Sequence, residues 1–361
     1  MVGACAALRT VGVRAAIVSM GRGQGGRRGA FNGRRVARLE GIPILYGPAW
    51  NVPLLSQLLS MAWLVAVAIR LSRHRQCVHL FYNQLNAYLP AIVLLRLLDR
   101  RAALDLEDGP VADQPAHATR LGNASPSIYA RLINGGALLA CSALAGGTDI
   151  RPVMPYYGCL RTGAPKRGLR DTGEEVRIFY SGYLDDDTGV ALLSAAVGKL
   201  RASREPALKR LRIDVAGMGP GLAALADLEG GKSPAVHVLG RLGGEDYRAR
   251  LRTASAGLSL KLAGGPFAHS TFPSKTVEYA EHGLALIATD ISDVRALFGD
   301  AALYIERDDP EELAAYLLHA AQHPETLAKS GRAARKRIED RLSEAESGRA
   351  LAAFLFPEGS A

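Results

Sequence analysis

Short apolar runs alternate along the chain with stretches in which apolar residues return every three or four positions, the pattern of buried strands separated by amphipathic helices. In the first half the runs place strands near 13–19, 42–46, 77–82, 102–106 and 150–154, with helices near 52–74, 86–98 and 126–141. A second series begins at 176–180 and continues at 212–216, 236–239, 257–260, 285–288 and 302–304. This alternation predicts an α/β protein built on two wound parallel sheets covered by helices. A chain of 361 residues exceeds what one core usually supports, which agrees with two domains. Their expected boundaries are 1–159 and 176–340, with a Gly-, Lys-, Arg- and Thr-rich linker at 160–175 and a closing helix and tail at 341–361. Residues 4–10 read as the end of a helix, so the first strand of the N-terminal domain is missing from the pattern. The run 53–69 carries no charge and is nearly long enough to cross a bilayer, but Ser56, Gln57 and Ser60 favour a helix buried between strands.

Charge changes this picture more than composition does. Residues 1–150 hold 16 Arg, no Lys and 7 acidic residues, so the whole net excess of +9 lies in the first half. A basic face attracts nucleic acid, an anionic membrane or a phosphorylated substrate. Nucleic acid fits least, because the basic stretches lack interleaved aromatics and contain no helix-turn-helix, zinc-finger or RNP pattern. A solvated arginine-rich surface is the plainer alternative. Cys5, Cys77, Cys141 and Cys159 stand far apart, which argues against a metal site or a disulfide framework and suits a reducing cytoplasm.

Gly21-x-Gly23-x-x-Gly26 follows the apolar run 15–18 and has the spacing of a dinucleotide-binding turn. Such a turn must open a helix whose N–H groups face the pyrophosphate. Residues 27–33 contain too much Gly and Asn to start one, and Glu40 precedes a strand instead of ending one. The segment therefore reads as an arginine-rich surface loop, and an oxidoreductase that needs this turn is the weaker reading.

The stretch "FPSKTVEYAEHGLALIATD" from Phe272 carries the most chemistry. Pro273 presets a first helical turn, Gly283 stops the helix, and 284–288 is a buried strand. A helix mouth there offers amides to an anion, with hydroxyls at Ser274 and Thr276 and a cation at Lys275. Glu278, one turn on, can accept both hydrogens of a ribose diol, so the segment reads as a nucleotide-diphosphate clamp. A capped surface helix whose Glu278 only offsets the dipole is the alternative.

This string resembles the donor-binding signature of retaining GT-B glycosyltransferases, glycosyltransferase family 4. "RIFYSGYLDDDTGVALLSAAVGKL", "RIDVAGMGPGLAAL" and "VHVLGRLGGEDYRARLRTASAGLSL" are similar in order and spacing to earlier parts of that family's C-terminal domain, and 308–338 resembles its closing helices. The likeness is strong over about 176–340 and weak before 150. It implies the GT-B fold, two Rossmann-like domains facing across a cleft, and transfer of a sugar from a nucleotide diphosphate sugar to a hydroxyl. Carried over by position, Glu278 matches the ribose-binding glutamate, and Ser274, Lys275 and Thr276 fall at the phosphates. Gly182 matches the glycine loop after the first strand, and Arg241 follows the turn that faces the base.

The chain also departs from the family pattern. Ser270 stands where many members carry a second glutamate, and Tyr183 and Thr188 stand where many place cations. Lys261 and Lys275 are the candidates for the missing positive charge. Family members often place a histidine near the end of "ALDLEDGPV", so Glu107 and Asp108 become the candidates for accepting or orienting the acceptor proton. His79 and His117 read as packing or surface residues. No cofactor or metal is implied; Asp185-Asp186-Asp187 is read as a solvated turn. The resemblance further implies cell-surface polysaccharide or glycolipid synthesis, with Arg22, Arg27 and Arg28 meeting a lipid-linked acceptor or the inner face of a membrane. A nucleotide-sugar epimerase of the same shape and a non-catalytic nucleotide-binding relic remain alternatives.

Overall fold

A computed structural model describes residues 1–20, 29–74, 76–107, 126–133, 137–160, 175–230, 233–266, 268 and 271–357. The Gly21–Gly26 motif, Arg22, Arg27, Arg28, Asp108, His117, Ser270 and most of the expected linker lie outside them. The chain divides into two compact units, Met1–Arg161 with Leu342–Ala361, and Thr162–Arg341.

The first unit runs α1 (Val2–Thr10), β1 (Ile17–Ser19), β2 (Phe31–Asn32), β3 (Arg35–Leu39), β4 (Ile42–Tyr46), β5 (Ala49–Trp50), α2 (Pro53–Leu71), β6 (His79–Tyr82), α3 (Leu89–Leu97), β7 (Ala102–Leu106), α4 (Pro126–Ile133), β8 (Ala137–Ala140), α5 (Ser142–Gly146) and β9 (Val153–Pro155). Among the described residues its strands form no single wound sheet. One sheet has the order β1-β4-β3, a second the all-parallel order β6-β7-β8-β9, and β2 pairs with β5. β3 and β4 make an antiparallel hairpin through Glu40 (φ 55°) and Gly41 (φ 77°), the two left-handed positions of a tight turn that matches strand twist. Glu40 is thus a turn residue, and residues 29–39 form strands instead of the helix a dinucleotide turn requires.

The expected helix over 126–141 ends at Ile133, and Ala137–Ala140 is instead a fully buried central strand. An apolar run buried on both faces shows no period of its own, and the separating signal is the turn-forming Asn134-Gly135-Gly136 sequence between helix and strand, which the expectation of one continuous helix passed over.

The second unit runs β10 (Val176–Tyr183), α6 (Val190–Ser203), β11 (Leu211–Met218), α7 (Leu222–Ala226), β12 (Ala235–Gly240), α8 (Gly244–Thr253), β13 (Ala256–Ser259), α9 (Lys275–Glu281), β14 (Ala285–Thr289), α10 (Val294–Phe298), β15 (Ala302–Ile305), α11 (Pro310–Gln322) and α12 (Pro324–Leu342). Its six parallel strands take the order β12-β11-β10-β13-β14-β15. Strand succession reverses between β10 and β13, the point where open α/β sheets bind ligands beyond their carboxyl ends. Ile178, Ile213, Leu258 and Ile287 from the strands pack with Leu193, Val197 and Leu317 from α6 and α11 in one core.

The last helix, α13 (Glu344–Leu355), returns to the first unit. Its Leu351 and Leu355 join Ala4, Ala7 and Leu8 of α1 in a cluster with Ala103 and Leu139.

Candidate functional site

Three elements of the second unit converge beyond the switch point. β10 supplies Phe179 and Ser181, α8 supplies Tyr247, and α9 supplies Lys275, Glu278 and Tyr279. Tyr247 donates to Glu278 Oε2 at 2.9 Å, and Lys275 Nζ donates to the same oxygen at 2.6 Å and to the Tyr247 hydroxyl at 2.8 Å. Behind them, Ser181 Oγ lies 3.0 Å from the Tyr247 hydroxyl and 2.9 Å from that of Tyr279, which also accepts from the Ser181 amide at 3.1 Å. One polarity satisfies every group: Tyr279 donates to Ser181 Oγ, Ser181 to Tyr247, and Tyr247 to Glu278. Burial first, then the neighbouring Glu278 charge, pushes the Tyr247 phenol up; burial, then Tyr247, does the same for Tyr279. Both therefore keep their protons and act as fixed donors near neutral pH.

Sequence reasoning missed Tyr247, Ser181 and Tyr279. A signal for Tyr247 was present, because Tyr247 and Leu251 are the large apolar residues of the otherwise polar "GEDYRARLRT" and stand four apart, marking its inner face. The Phe179 ring packs tilted against Tyr247 and edge-on to Tyr279, at 5.5 Å and 6.3 Å between centroids. Ala at 257 would put a Cβ 2.3 Å from the Tyr279 ring, so Gly257 of β13 makes room for it.

The other expected donor residues fall unevenly around this network. Gly182 is the next-to-last residue of β10 there, and Ser274 is exposed at the mouth of α9 with its side chain uncommitted to capping. Thr276 is turned inward instead: its hydroxyl and amide both donate to the Pro273 carbonyl, at 2.7 and 3.0 Å. The hydroxyl assigned to phosphate is thus spent inside the turn. Lys275 and Glu278, expected on different parts of one ligand, pair with each other; both side chains are about one-third exposed, so the pair is a weak, exchangeable one. Lys261 lies 3.6 Å from Asp187 Oδ2, and the Leu262 amide donates to the Asp187 carbonyl at 2.8 Å. This draws Asp187 under the loop after β13, so the solvated-turn reading holds for exposed Asp186 but not for Asp187. Asp185 shapes the turn by accepting from the Thr188 amide at 3.0 Å. Asp308, also missed, accepts from the amides of Ala263 and Gly264 at 2.8 and 2.9 Å. Arg241 is exposed after the edge strand β12, and among the described contacts none joins it to the Glu278 network.

In the first unit Glu107 follows β7. Its amide donates to Asn83 Oδ1 at 2.9 Å, and Tyr82 donates to Glu107 Oε2, so the carboxyl ends of β6 and β7 hold it in place. His79 sits at the opposite, amino end of β6, and burial lowers its pKa, in keeping with a packing role. Asp105 on β7 is buried, and burial pushes its carboxyl up to about 6, with Glu107 adding in the same direction and the terminal amine opposing. The folded unit therefore binds this proton more tightly than the unfolded chain. Stability from this group is retained below about pH 4 and falls as pH rises toward 6, by roughly 2–3 kcal/mol. Asp105→Asn should gain stability relative to wild type between pH 4 and pH 7, measured as denaturation midpoints at both; a constant difference would contradict it.

Among the described residues no three His, Cys, Asp or Glu side chains cluster in a way that could hold a metal ion, and no helix is long and apolar enough to cross a membrane.

The family model for glycosyl transferases group 1 matches residues 175–323, which contain the whole Glu278 network. Residues 175–323 are a group 1 glycosyltransferase domain. No curated protein matches the chain. Among solved structures, Anabaena HepE in complex with UDP is 16% identical with a TM-score of 0.63, over 86% of this chain and 85% of that one. OtsA is 12% identical with a TM-score of 0.62, over 98% and 95%. A trehalose-6-phosphate synthase studied for glycosyl transfer with retention is 11% identical with a TM-score of 0.60, over 90% of each chain. At these identities the likeness establishes fold, and the fold is GT-B. The glycosyltransferase domain places its hydroxyl network at the sheet position where nucleotides bind in folds of this class.

Proposed function

We propose that the protein transfers a glycosyl group from a nucleotide diphosphate sugar to a hydroxyl acceptor, with retention and without a metal ion. The observation that carries this is the Ser181–Tyr247–Glu278–Lys275 network beyond the switch point of a group 1 glycosyltransferase domain. Glu278 accepts from the ribose hydroxyls, and Tyr247 and the shell behind it keep the carboxylate aimed. Ser274 and the mouth of α9 meet the diphosphate, and Lys275 leaves Glu278 to balance the charge that grows on the leaving phosphate as the anomeric C–O bond breaks. Lys261 adds a second cation, Gly182 lets the β10 turn approach the ligand, and Arg241 faces the base. In the first unit Glu107, with Asp108, takes or orients the proton that the acceptor hydroxyl loses as its oxygen bonds to the anomeric carbon. The retaining reading draws support from the trehalose-6-phosphate synthase likeness.

The acceptor is lipid-linked in this reading, the product a surface polysaccharide or glycolipid, and the enzyme a peripheral protein on the cytoplasmic side of a membrane. Arg22, Arg27 and Arg28 supply charge for that contact.

Thermal unfolding with UDP-, GDP- and ADP-sugars tests the donor site. One of them, at 100 times its dissociation constant, should add about 2.7 kcal/mol. If none raises the midpoint, the reading fails; a donor converted without any acceptor would assign the site to an epimerase.

A further inference from the structure

The outer face of α2 is apolar from Leu55 to Ile69. Leu55, Leu58 and Ile69 are exposed, Leu58 by 61%, and the residues exposed between them are Ala62 and Ala66. These positions lie opposite the helix's own buried side, which runs through Ser60, Leu64 and Ala68. α3 packs against α2 and repeats the arrangement, with Val93 and Leu97 exposed, the latter by 78%, opposite buried Ile92 and Leu95. A soluble helix normally reserves its outer stripe for polar residues, so this face requires a cover.

Charge identifies the cover. From residue 41 to residue 98 the chain contains no Asp or Glu, while it carries Arg70, Arg73, Arg75 and Arg96. Arg70 and Arg73 are exposed at the C-terminal end of α2, and exposed Trp50 stands just before its start, edge-on to exposed Phe31. Apolar stripe, aromatic end and a margin that is cationic apart from exposed Asp99 just past α3 are what an anionic bilayer interface complements. Two copies of this face would bring mainly like charges together, with Asp99 offsetting them only in part, and α2 does not qualify as a membrane-spanning helix.

We propose that the α2–α3 face lies flat in the interface of an anionic lipid membrane, inserting Leu55, Leu58 and Leu97 among the acyl chains. This rests on the peripheral-membrane part of the function proposed above and is independent of its donor site. It also shifts the main contact from the arginine loop to an apolar surface.

Both tryptophans of the chain, Trp50 and Trp63, lie beside or within α2, so intrinsic fluorescence reports on this face. The full-length protein is mixed with phosphatidylcholine vesicles with or without phosphatidylglycerol, carrying brominated acyl chains. Quenching with phosphatidylglycerol and none without it is the expected result. Leu58→Glu and Leu97→Glu should each weaken co-sedimentation at least about tenfold, while unfolding midpoints and donor-induced stabilisation stay at wild-type values. Three results would overturn the proposal: no quenching on anionic vesicles, wild-type sedimentation of both variants, or a wild-type dimer in solution that Leu58→Glu dissociates. Loss of donor stabilisation with vesicle binding intact would count against the donor site alone.

Discussion

Glu278→Gln should weaken binding of the nucleotide diphosphate donor by about 100-fold while leaving the unfolding midpoint nearly unchanged. Glutamine keeps the shape and can still accept from Tyr247, whose hydroxyl stands 2.9 Å from Oε2 in the native protein. What it loses is charge. A hydrogen bond to a charged group contributes about 1.5–3 kcal/mol, and a ribose diol presents two hydroxyls to the carboxylate, so a loss near 3 kcal/mol is expected. The folding cost is small for the opposite reason. The Lys275–Glu278 pair is about one-third exposed on both sides, where such pairs contribute at most about 1 kcal/mol. Calorimetric titration of donor, beside a melting curve of the free protein, separates the two. A variant that binds donor normally but melts early would make Glu278 a structural cap on α9, and the ribose assignment would fall.

The second unit was legible because its strands are mostly apolar runs at regular spacing, each closed by a glycine or a polar turn. β10 and β11 show the same burial along eight residues and each carries a glycine, Gly182 or Gly217, one residue before its end. The first unit was legible only in part. β8 is a four-residue apolar run set off from α4 only by Asn134-Gly135-Gly136, too short to show a period, and β3 is exposed at every position, so burial left no pattern to find. At the site, the identities of Lys275 and Glu278 were readable but their mutual pairing was not, since residues three apart on a helix can face each other or a ligand equally well. For Tyr247 the spacing to Leu251 marked the inner face of α8, but its role was out of reach: its partners come from β10 and α9, far away in sequence, and only the sheet order brings them together. Thr276 shows the converse error, a hydroxyl in the right place whose rotamer turns it to the Pro273 carbonyl.

The glycines beyond β11 carry the largest expected structural effect. Gly219 has φ +145°, and a Cβ there would lie 2.2 Å from the Leu184 carbonyl oxygen and 2.9 Å from the Leu184 amide nitrogen. Those atoms cannot retreat. The Leu184 amide donates to the Met218 carbonyl and its oxygen accepts from the Gly221 amide, both at 2.8 Å, and its side chain is fully buried. Strained backbone and overpacking each cost about 1–3 kcal/mol, so Gly219→Ala should destabilise the unit by about 4 kcal/mol. For a unit of this size that lowers its melting temperature by roughly 10–15 °C. Gly198, in the middle of α6 with nothing within 4 Å of its Cβ position, is the control. There alanine should stabilise by about 0.5–1 kcal/mol, because it only removes unfolded-state freedom. Leu184 lies two residues past Gly182, so any shift that accommodates the new methyl moves the β10 turn, and donor affinity should fall together with stability. If Gly219→Ala melts like wild type yet binds no donor, the glycine exists for close approach of a ligand and not for the contact between the β10 and β11 turns.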